Sequence, residues 1–173
     1  MQTAMRQSAA VLSRISTLAL WVAGIGLVLM TVFTGWQVWS RYVLNASPSW
    51  TEPLSVLLMN WFIFLGAAVG VREGYHLGFD VLLFLLPEKG KAVLRTISDI
   101  AVLFFGAGMV WYGFDLARGT WSAVMPSLRL PVGVDYLPIL GGGILIVLFT
   151  LERLARRFSG QETFDVEMID ATA

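Results

Sequence analysis

The chain has 173 residues, 57% of them hydrophobic and 14% charged, with twelve acidic and twelve basic side chains and no cysteine. A soluble domain carries about 25% charged residues, so this composition points away from an ordinary soluble enzyme. Without cysteine there can be no disulfide and no thiolate metal site.

The charges are segregated. None falls in residues 15–40, 53–71, 100–114 or 136–151. A membrane-crossing helix needs roughly 20 mainly apolar residues, and a soluble bundle would need polar faces that these runs lack. The expected fold is therefore an all-α integral membrane protein with four spans, near residues 17–39, 53–71, 96–117 and 135–154. Nine of the twelve basic residues lie in the N-terminal segment, the connection after the second run and the C-terminal segment; only Arg41, Arg118 and Arg129 lie on the other side. That asymmetry predicts both termini in the cytoplasm. The first run is too long for a signal-peptide core and lacks a small-x-small cleavage site, so it is expected to remain.

In chain order, residues 1–16 read as a short amphipathic lead-in, with Arg6 and Arg14 set against Val11, Leu12 and Ile15, suited to lie on the cytoplasmic leaflet. The first span closes on Trp36, Trp39, Arg41 and Tyr42, side chains that anchor at headgroup level. In the outer loop that follows, Ser49 and Glu52 fit a capping box, with Pro53 in the first turn of the next helix.

On the second span, Asn60, Ile63, Gly66, Ala67, Gly70 and Gly74 share one arc of about 120°. Leu57, Leu58, Trp61, Phe62, Leu65 and Val69 share the opposite side. Close packing in lipid needs small side chains, so the small arc is expected to meet another helix and the bulky side to meet lipid or a partner. Arg72 then ends the span. The stretch after it holds the only histidine, His76, with Asp80 four residues on, followed by an apolar piece of about ten residues that is too short to span. It reads as a short interfacial segment between the second and third spans. With no second histidine and no cysteine, His76 and Asp80 form a docking or hinge pair rather than a triad or metal site. Asp99 and Asp115 lie about 24 Å apart on one helix, so they cannot act as a dyad, and each sits near a membrane surface. Gly141-Gly142-Gly143 in the fourth span permits close approach of a neighbour or a local bend. The fourth span ends on a basic stop, and residues 156–173 form an acidic, disordered tail.

Ion-coupled carriers place ionisable residues near the bilayer midplane. The deepest polar group here is Asn60, so the chain is expected to be a subunit of something larger rather than an enzyme or a self-sufficient carrier.

Trp50, Glu52, Trp61, Leu65-Gly66-Ala67-Ala68, Arg72, His76 and Asp80, in this order, resemble the pattern of the DctQ family, the small membrane subunit of TRAP (tripartite ATP-independent periplasmic) transporters. The likeness extends more weakly to Leu86-Pro87 and the loop around residues 127–131, and so covers most of residues 15–155. One departure is Pro53, where family members often carry a second acid. The resemblance implies an inner-membrane protein that braces a large, DctM-like, sodium-coupled elevator subunit taking up organic acids. It also implies a periplasmic solute-binding protein that this chain helps to dock. Sodium is then expected at the partner subunit, no cofactor on this chain, and no nucleic-acid partner. Trp50 and Glu52 become an outer interface anchor and cap. Asn60, Trp61, Gly66 and Gly70 become the packing and subunit face, and Arg72, His76 and Asp80 a polar knot at the inner surface. The competing expectation is a stand-alone homo-oligomeric carrier or channel.

Overall fold

The computed structural model describes residues 2–73 and 88–158. Four long helices account for nearly all of them: α1 Gln2–Tyr42, α2 Thr51–Glu73, α3 Glu88–Gly119 and α4 Leu137–Phe158, with a 3-10 turn, Val132–Tyr136, leading into α4. All four are long and apolar enough to cross a bilayer. The expected interfacial segment between the second and third spans, with His76 and Asp80, and most of the expected tail lie outside the described residues. The tail's first residues, 156–158, continue α4 as helix.

The helices stand in the order α1, α2, α4, α3, with α2 packed on both α1 and α4. A stripe on α1, spaced three and four residues apart, faces α2: Ser16, Ala19, Ala23 and Gly26 are buried, as is Ser40 further along. Leu65 and Val69 of α2 pack against Ala19 and Ala23, and a Cβ built on Gly26 meets the Leu58 carbonyl at 3.6 Å. The small residues thus sit on α1 and the large ones on α2.

The lead-in and the first span form one continuous helix. Leu12 and Ile15 are half-buried against the inner cluster of Ala68, Met109, Ile146 and Phe149. α1 ends where Asn45 takes a positive φ of 50°, a conformation asparagine tolerates and helices use to terminate. The Ser40 carbonyl there accepts from the Leu44 and Ala46 amides.

α4 is the wedge of the fold. A Cβ on Gly141 would touch the Trp61 ring at 3.4 Å. On Gly142 it would lie 2.7 Å from the Phe64 Cβ and 2.9 Å from its carbonyl oxygen, and on Gly143 2.9 Å from the Met109 Cβ. The triplet therefore serves two neighbours at once, α2 and α3. Gly106 and Gly113 of α3 answer it, against Ile146 and the Leu140 amide nitrogen. In the loop before α4, Gly133 is buried against the Ala117 carbonyl and Trp121, where a side chain would collide.

Within the chain it is the bulky side of α2, expected to meet lipid or a partner, that packs on neighbouring helices, while the small arc meets none of them. Leu57, Leu65 and Val69 are buried and Trp61 and Phe62 half-buried, whereas Ile63 and Ala67 are exposed. A Cβ on Gly66 or Gly70 meets nothing within 4 Å. The reason is the division of sizes: α1 and α4 supply the small residues, so the bulky face of α2 fills the space they leave. The outward surfaces of α1 and α3 are apolar, with Trp21, Phe104, Phe105, Trp111 and Tyr112 widely exposed, as suits lipid contact rather than water.

Gly142→Ala is expected to destabilise the bundle by about 1–3 kcal/mol through overpacking, seen as a lower melting temperature in detergent. Gly66→Ala should leave that temperature unchanged.

Candidate functional site

Two regions of the described chain carry polar groups at depth or concentrated charge: the outward strip of α2 and the basic end of the bundle.

At the N-terminal end of α2, Trp50 packs edge-on against Phe33 of α1, centroids 5.7 Å apart at 79°, which ties α2 to α1. The capping box does not form. Thr51, fully buried, instead ties the helix start to the loop, its hydroxyl donating to the Pro48 carbonyl at 2.9 Å. Glu52 is exposed in the first turn, where its charge still favours the helix N-terminus.

Below it runs the strip: Val56, Met59, Ile63 and Ala67 exposed, with Asn60, Gly66 and Gly70 partly so. Asn60 is the tenth residue of the 23-residue α2, at mid-span, and its amide has no hydrogen-bond partner among the described residues. An unsatisfied amide in hydrocarbon costs several kcal/mol. Trp61 faces the other way, onto Gly141, and packs inside the chain. A separate shallow groove of about 700 Å³ runs along the C-terminal half of α1, between Met30 and Val43. The Thr31 and Thr34 hydroxyls there donate to the Leu27 and Met30 carbonyls, so the groove asks for no polar partner.

At the basic end, Asp99 of α3 is 2% exposed. Arg153 of α4 approaches its Oδ1 at 3.2 Å and Arg157 its Oδ2 at 2.9 Å. Arg153 also donates to the Arg72 carbonyl at 3.3 Å, and Arg157 to the Thr96 hydroxyl at 3.3 Å. The Arg72 guanidinium lies 5.6 Å from the centroid of the buried Phe149 ring. One carboxylate thus draws the ends of α2, α3 and α4 together. Arg72 belongs to this knot; the placement of His76 and Asp80 lies outside the described residues. Asp115 is exposed at the far end of α3.

Sequence reasoning placed Asp99 at a membrane surface and missed its partners, although the register carried a signal. α3 and α4 are antiparallel, so about 30 Å from Gly119 back to Asp99 matches about 24–30 Å from Leu137 on to Arg153 and Arg157.

Residues 30–160 match the family described as tripartite ATP-independent periplasmic transporters, DctQ component. The chain belongs to this family. A TRAP transporter small permease protein of Haemophilus influenzae is 32% identical over 131 residues, covering 74% of this chain and 80% of that protein. The sialic acid TRAP transporter small permease protein SiaQ of Vibrio cholerae is 28% identical over 73% of this chain and 72% of its own length. The sialic acid TRAP transporter permease protein SiaT of Haemophilus influenzae is 35% identical over 66 residues, 38% of this chain but only 11% of SiaT. Other matching small permeases are named for C4-dicarboxylates. The DctQ protein is thus a transporter subunit and not an enzyme, a multi-pass protein of the bacterial inner membrane.

Removing one partner of a buried charge cluster costs about 3–5 kcal/mol. Asp99→Ala should therefore lower the thermal stability of the purified chain by about 3 kcal/mol, while Asp115→Ala, at an exposed site, should change it by under about 0.5 kcal/mol.

Proposed function

We propose that this DctQ subunit braces the large membrane subunit of a sodium-coupled TRAP transporter for an organic acid, and that the outward strip of α2 is where the two meet. The observation that carries the reading is Asn60: a mid-span amide without a partner among the described residues, on a face whose glycines offer open space. A neighbouring membrane helix can approach closely over Gly66 and Gly70 and hydrogen-bond the amide, the pattern by which helices associate in lipid. A large multi-span partner is supported by SiaT, a much longer permease in which a segment similar to this chain occupies only 11% of the length.

The substrate class follows the relatives, whose names specify sialic acid or C4-dicarboxylates; both are carboxylates. Substrate and sodium bind the large subunit, and this chain contributes no cofactor. Both termini lie in the cytoplasm, given the basic bias of that side. Trp50, Glu52 and the loop before α4 then face the periplasm, where they help a solute-binding protein dock.

Asn60→Leu and Gly66→Leu should each leave the melting temperature of the isolated chain within a few degrees. Each should also reduce recovery of the co-expressed large subunit on affinity purification by about tenfold, equivalent to about 1.4 kcal/mol. Undiminished recovery with both variants would place the interface elsewhere.

A further inference from the structure

We propose that the basic end of the bundle is a binding site for a phosphate-bearing anion, held by Arg72 with Arg153 beside it. The site rests on three observations.

First, Arg72 is positioned by packing: its guanidinium lies over the Phe149 ring, and its own carbonyl accepts from Arg153. Second, it has no acidic partner among the described residues. Asp99 cannot serve, because its two oxygens are taken by Arg153 and Arg157. Glu152 pairs with Arg156, and Glu73, next in sequence, is exposed and makes no ion pair with Arg72. Third, the neighbouring charge is sheltered, the Arg153 side chain being only 15% exposed.

The result is an excess of positive charge, partly removed from water, at the ends of spans that lie at headgroup level. A guanidinium presents a planar fork of N–H donors that matches phosphate oxygens, and charge-assisted bonds of this kind are the strong ones. Basic pockets between membrane helices near the surface take anionic headgroups for this reason. Two sources supply that chemistry, an anionic phospholipid and a soluble phosphate compound.

The test uses the purified full chain and needs no partner subunit. Native mass spectrometry compares retention of phosphatidylglycerol with that of phosphatidylcholine carrying the same acyl chains. A parallel melt in lipid-free detergent is run with and without millimolar inorganic phosphate. The wild-type chain is expected to retain phosphatidylglycerol about tenfold better, Arg72→Gln to hold the two lipids equally, and Arg72→Lys to keep part of the preference.

A lipid preference with no response to inorganic phosphate assigns the site to the headgroup. Stabilisation of the wild type by phosphate, lost in Arg72→Gln, assigns it to a soluble anion. Equal retention of both lipids by the wild type with no phosphate effect overturns the proposal. So does an unchanged preference in an Arg72→Gln chain of native helicity and size. The wild-type comparison decides even if that variant does not fold.

Discussion

Three consecutive glycines on α4 set the distance at which α2 and α3 pack on it. Inside a bilayer the tails are as apolar as leucine, so helices gain nothing by hiding oily side chains from lipid and must associate through close contact. Gly142 and Gly143 let the backbone of α4 come within reach of Phe64 on one side and Met109 on the other. The helix stability that three glycines forfeit is offset by contacts to two neighbours at once. Gly106 and Gly113 of α3 complete the second of these. Once α4 is seated, the charge cluster has only to join ends already brought near each other. Asp99 does this from a buried position that only its two arginines make tolerable.

A row of four helices has consequences that a four-cornered bundle would not. The end helices, α1 and α3, each pack mainly on one long helix, and broad apolar faces remain outward. Most of that surface carries large side chains such as Phe104, Trp111 and Trp21, and is indifferent to whether lipid or protein covers it. The strip on α2 differs: it bears glycines with open space over them and carries an amide. A subunit that braces a moving partner needs a stiff body and a specific contact. The glycine wedge gives the first, and the α2 strip is the contact we propose for the second.

Much of this was legible in the sequence. Charge-free runs pointed to all four long apolar helices, because that signal is local. What packs on what was harder, because a helix face is assigned only relative to its neighbours. Gly66 and Gly70 read as a packing face, yet Ala19, Ala23 and Gly26 on α1, and Gly141 and Gly142 on α4, already supply the small side of each contact. The same three-and-four spacing on α1 was available as a signal. The capping box failed for a related reason: the loop at Pro48 brings Thr51, not Ser49, into a side-chain hydrogen bond at the helix start. Asp99 with Arg153 and Arg157 could be found only by folding two antiparallel helices onto one height scale.

The central claim is that this chain moves no solute itself and yet is needed for uptake. Proteoliposomes decide it most directly, with radiolabelled organic acid, a sodium gradient and a matched solute-binding protein. They would contain this chain alone, the large subunit alone, or both. Uptake only when both subunits are present is the predicted result; uptake by this chain alone, or full uptake by the large subunit without it, would contradict the account.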